Sequence, residues 1–170
     1  MIISIFMAKS VPDPAEEYVK FREAAFSASW RKLGFAPTAK NPNVWGVIME
    51  VGYPQTVVTL VCYINGLVNF YFGNGGEING GGEHEAVRMK AEEFILGAET
   101  FLKKLNLTRH YPLPEINRVR FYALTFSGLY TTQANQTIDR DTHELFPLFR
   151  AGHEVIAALR AAKESAATKE

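Results

Sequence analysis

The chain has 170 residues, 47% hydrophobic and 21% charged, with 18 Lys and Arg set against 18 Asp and Glu. Zero net charge excludes nonspecific nucleic-acid binding, which needs a basic stripe, and the hydrophobic content excludes disorder. The single cysteine, Cys62, excludes an internal disulfide and multi-cysteine zinc sites.

Residues 1–12 read as a short strand or an apolar docking arm. The start lacks the basic flank of a signal peptide, and no run reaches the roughly 18 apolar residues of a membrane span. A cytoplasmic protein without membrane contact is expected. The first helix is predicted over 13–33. Asp13 is a natural N-cap, Pro14 suits the first helical position, and Glu16 completes a capping box. Tyr18, Val19, Phe21, Phe26, Trp30 and Leu33 share one face, and Gly34 stops the helix.

From Val44 to Phe72, 29 residues carry one charge, Glu50, and are rich in Val, Ile, Tyr and Phe. Three strands are predicted, at 44–53, 56–64 and 67–72, forming a meander. Asn65-Gly66 predicts a two-residue type I′ turn. Ile64 would then pair with Leu67, Cys62 with Asn69, and Leu60 with Tyr71. Both faces of this hairpin are apolar, so both should be covered, by helices of the same chain or by a partner subunit.

Six of the 13 glycines fall in residues 73–82, a connection between strand and helix. The next helix is predicted over 83–105, with Val87, Ala91, Phe94, Ile95, Ala98, Phe101 and Leu102 on its buried stripe and Asn106 as its stop. Residues 110–114 must be extended around two prolines. Residues 118–133 read as strand, with Ser127-Gly128 either a tight turn or a bulge. The last helix is predicted over 142–164, with an Asp141–Glu144 capping box and Pro147 splitting off its first turn. Gly152 on its apolar face calls for the close approach of another backbone. The tail 163–170 is polar and should fray.

This order gives a single α+β domain: an antiparallel sheet of four to six strands packed with three helices. The layout resembles roadblock- and profilin-type modules in architecture only. Three strands rather than two precede the middle helix, and no motif of either family is present.

The glycine-rich loop is the main candidate site, because a strand-to-helix connection can aim backbone N–H groups at an anion. Its dinucleotide fingerprint fails at Ile78, no P-loop lysine follows, and Glu77 and Glu83 would repel phosphate. The candidate ligand-binding residues are Gly75, Gly76, Gly80, Gly81, Gly82 and His84, with Arg118 and Arg120 as carboxylate or phosphate binders on a strand. His84 is set against the simpler reading of a border residue, and the arginines against an edge-strand charge pair. Asp139–Glu144 lacks the glycine and distant glutamate of a calcium loop. No metal, cofactor or catalytic residue is assigned. Two functions follow: a non-enzymatic interaction module acting as a homodimer, or a binder or enzyme for a small anionic or acyl molecule near residues 73–82.

Overall fold

In the computed structural model, which describes residues 9–138 and 142–169, the middle of the chain, charged only at Glu50, forms the centre of a seven-stranded antiparallel sheet. The strands are β1 (Val44–Gly52), β2 (Val57–Tyr63), β3 (Val68–Phe72), β4 (Glu77–Ile78), β5 (Asn106–Thr108), β6 (Arg118–Thr125) and β7 (Gly128–Asn135). Their spatial order is β4-β3-β2-β1-β6-β7-β5. The helices are α1 (Glu16–Ser27), the four-residue α2 (Trp30–Leu33), α3 (Glu85–Phe101) and α4 (Phe146–Ala167). The α+β class and the antiparallel sheet match the sequence reading, with seven strands in place of four to six. The edge strands β4 and β5 hold two and three residues, too short to display a period of two in sequence. Asn106, expected to stop a helix, opens β5 instead. The helix before it ends at Phe101, and a 3-10 turn, Leu102–Lys104, follows.

Both faces of the sheet are covered by the chain itself. On one face Val47, Met49, Leu60 and Phe70 meet Val87, Ala91 and Phe94 of α3 and Leu148, Val155 and Leu159 of α4. On the other, Ile48, Val61, Tyr63 and Tyr122 meet Tyr18 and Ala25 of α1 and the extended segment bearing Tyr111, Leu113 and Ile116. The doubly apolar hairpin therefore needs no partner subunit to bury it.

Its register is one residue off the predicted one. The loop has three residues, Ile64-Asn65-Gly66, closed by the Tyr63 N–H donating to the Leu67 carbonyl at 3.0 Å. Only Gly66 takes a positive φ, +90°, while the Asn65 side chain accepts from the Leu67 N–H at 3.1 Å. This is the turn-plus-bulge solution for Asn-Gly, in place of type I′. Leu60 consequently faces Phe70, and Cys62 faces Val68. A one-residue slip exchanges the faces of β3; both are buried, so hydrophobicity cannot choose between the registers.

The first helix is broken in two. The Tyr63 hydroxyl donates to the Ala25 carbonyl at 2.9 Å, taking the acceptor that Ser29 would use in a continuous helix. Ala28 and Ser29 are extended, and α2 follows. The Asp13–Glu16 capping box does not form. The Ala15 N–H is held by the Gly73 carbonyl at 2.7 Å, so the chain stays extended until Glu16. α4 begins at Phe146, with Pro147 in its first turn where no N–H is needed, and continues to Ala167 rather than fraying after Ala162. Phe126-Ser127 is a tight turn, since Thr125 pairs with Gly128. A Cβ on Gly152 would lie 2.6 Å from Met49 Sδ and 3.2 Å from Phe94 Cζ, so side chains, not another backbone, require the glycine. Met1–Met7 and the Asp139–Asp141 part of the last-helix cap and calcium-like run lie outside the described residues. No helix among the described residues is long and apolar enough to cross a membrane.

Candidate functional site

The structure divides the predicted site residues among four places. Gly75 and Gly76 form the β3–β4 turn, with Gly75 at φ +97° and the Gly76 N–H donating to Asn74 Oδ1 at 2.9 Å. Gly82 packs directly on the Gly66 carbonyl of the β2–β3 turn, leaving no space for a Cβ. Gly80, Gly81 and His84 do come together, lining a cleft of about 260 Å³ with Glu77, Leu159 and Lys163. His84 is exposed and flanks the start of α3 instead of lying on its buried stripe. That cleft is smaller than the roughly 300–1,000 Å³ usual for ligand pockets.

Arg118 and Arg120 are not part of it. Four inter-strand steps, about 19 Å, separate β4 from β6. The arginines also lie on the α1 face, whereas Leu159 belongs to the α3–α4 layer. Arg120 sits directly across from Glu50 of β1.

Glu50 anchors a polar cluster that sequence reasoning missed. It is fully buried, and Arg22 of α1 grips it with two hydrogen bonds, Nε to Oε2 at 2.8 Å and Nη2 to Oε1 at 2.7 Å. The Thr59 hydroxyl donates to Oε2 at 2.7 Å, and the Tyr18 hydroxyl lies 2.6 Å from that of Thr59. Arg22 also donates to the Tyr111 carbonyl at 2.6 Å. Burial, then the Glu50 charge, raises the phenols of Tyr18 and Tyr122, the latter to about 12. With each oxygen of Glu50 accepting at least one hydrogen bond, the cluster ties α1 to the sheet and to the 111–112 segment. The signal was available: a lone charge inside 29 strand-forming residues.

An aromatic concavity lies where the first helix breaks. A cleft of about 530 Å³ opens between Ala28-Ser29 and the β6–β7 turn, lined by Phe26, Trp30, Trp45, Leu124, Phe126 and Leu129. Trp30 and Phe126 meet edge to face with centroids 5.3 Å apart. Trp45 Nε1 donates to the Thr125 carbonyl at 3.1 Å, fixing the floor. Arg31, the one charged residue of the lining, stacks its guanidinium 4.3 Å over the Trp30 ring. No family model, curated protein or solved structure matches the chain. The sequence expects Trp30 and Phe26 within one continuous buried helical face; at the break that opens the cleft, the Ala25 carbonyl bonds to Tyr63, 33 positions further along the chain from Trp30.

Proposed function

We propose that this protein is a binding module that holds a small aromatic or acyl carboxylate in the cleft between α2 and the β6–β7 turn. The observation that carries this reading is the composition of that lining: seven apolar or aromatic side chains, Ala28 among them, and the hydroxyls of Ser29, Thr125 and Ser127 around about 530 Å³, with Arg31 alone supplying charge. Such a lining buries a ring or acyl chain, and a guanidinium held over an indole offers a carboxylate its two-pronged donor. The sequence reading expects an anionic or acyl ligand at the glycine-rich loop; this proposal narrows the class to a carboxylate and moves the location to the helix break.

The chain's only two tryptophans both line the cleft, so tryptophan emission reports its occupancy. Titration with benzoate, 2-naphthoate and decanoate should give a saturable emission change for at least one, and Phe126→Ala should weaken it about tenfold. A flat titration for all three, or an unaltered response in Phe126→Ala, overturns the proposal.

Homodimerisation is the competing reading. Among the described residues, the large exposed apolar side chains, Val19, Leu33, Met89 and Leu107, lie on four different elements, which favours a cleft ligand over a broad self-complementary face there. A micromolar monomer by sedimentation removes the homodimer. A dimer that dissociates in Trp30→Ala puts a second copy in the cleft instead of the carboxylate.

A further inference from the structure

Arg118 and Arg120 take no part in the aromatic cleft or in the Glu50 cluster's hydrogen bonds. They lie two residues apart on β6, so they share a face. The register sets Asn135 opposite Arg118 and Gln133 opposite Arg120. Opposed residues in an antiparallel pair have Cβ atoms about 5 Å apart, and residues i and i+2 are about 7 Å apart. The two arginines and the two carboxamide residues therefore form one block of neighbouring positions on one face of the sheet. Gln133 and Asn135 are exposed and both arginines are half-buried, so the block is open to solvent. Arg120 Nε is shielded from solvent yet has no acceptor among the described residues.

Among the described residues, the two charges of the block have no ion-pair partner. Glu50 lies across from Arg120, but Arg22 holds both its oxygens. Glu115, at the approach to β6, forms no ion pair with either arginine among the described residues, where the ion pairs involve other groups. The base is fixed. Asn117, the one non-glycine residue with positive φ among those described (+64°), donates its N–H to the Gly52 carbonyl at 2.8 Å. Its own carbonyl accepts from the Gln136 N–H at 2.9 Å. The start of β6 and the end of β7 are thus pinned beside the block.

We propose that this block binds the phosphate group of a small molecule. Two unbalanced charges and four donor-bearing side chains match a phosphate carrying a charge of about −1.5 to −2 at neutral pH. A carboxylate brings one charge and two oxygens, which a single arginine satisfies.

The test is titration of the full chain with inorganic phosphate at low salt, followed by backbone amide NMR, with acetate and a short DNA duplex as separate arms. Saturable shifts at Arg118, Arg120, Gln133 and Asn135 are expected, with acetate at least tenfold weaker. Arg118→Gln/Arg120→Gln should lose phosphate binding while Trp30→Ala retains it, so this result is independent of the cleft ligand. Shifts absent from the block in the parent chain overturn the proposal without recourse to any variant. So do acetate binding as tightly as phosphate, duplex DNA displacing phosphate from the same residues, or undiminished binding in a folded double variant.

Discussion

Single residues carry two testable consequences. Glu50 and Arg22 form a buried pair whose side chains are 0% and 9% exposed. Removing one partner leaves the other charge buried and unpaired, a loss of about 3–5 kcal/mol. Glu50→Gln should lower the unfolding free energy obtained from urea titration by that much. Tyr18→Phe, which removes one neutral hydroxyl from the cluster, should cost about 1 kcal/mol. Equal losses in the two variants would show that the charge pair is not what holds α1 down. His153 offers a pH-dependent case. Its Nε2 is shielded without a partner, its ring packs on Phe149 with centroids 4.3 Å apart, and burial, then Arg160, lowers its pKa below 6.5. A base whose folded pKa is depressed binds its proton more readily when unfolded. Its contribution is therefore intact above about pH 6.5 and is lost as pH falls through the lowered value. Stability of the parent chain should fall between pH 7 and 5 more steeply than that of His153→Leu; parallel curves would remove His153 as the cause. The lowered carboxyls of Glu144 and Glu154 start from 4.5 and titrate below that window.

Among the elements, the glycine-rich connection is where chemistry and packing were hardest to separate. A run of glycines announces unusual backbone but not the reason for it. Gly80 has φ +72° with open space around it, so alanine there carries only the strain of a left-handed residue, about 1 kcal/mol. Gly82 touches the Gly66 carbonyl, and a Cβ would force apart α3's lead-in and the β2–β3 turn. Gly82→Ala should therefore lower the melting temperature well beyond Gly80→Ala. Similar melting temperatures for the two would mean that the turn contact is dispensable. The broken first helix teaches the complementary lesson. Its apolar spacing is helical through Leu33, and nothing within 13–33 marks Ala28-Ser29 as a break. At the break, the Ala25 carbonyl accepts from the Tyr63 hydroxyl of β2. Val19 and Leu33, assigned to the buried face by that spacing, are 44% and 43% exposed, while Arg22 is buried.

In the whole molecule, the layers follow from patterning, because hydrophobic burial is nondirectional and needs only the period of two or 3.6 to be right. The α+β class, the three central strands, the α3 stripe and the need to cover both faces were all legible in the residues themselves. What remained hidden depends on partners distant in the chain. Hairpin register was undetermined because β3 is apolar on both sides, and the local hydrogen bonds of Asn65 and Gly66 decided it. The edge strands β4 and β5 exist only because β3 and β7 offer them unpaired backbone. The grouping of Arg118 and Arg120 with Gln133 and Asn135, rather than with the glycine-rich loop, is a fact of strand order. Sequence alone determined which segments must be buried. Only the tertiary structure decided which polar groups meet, since hydrogen bonds and ion pairs act over a few ångströms between particular atoms and leave no period in the chain.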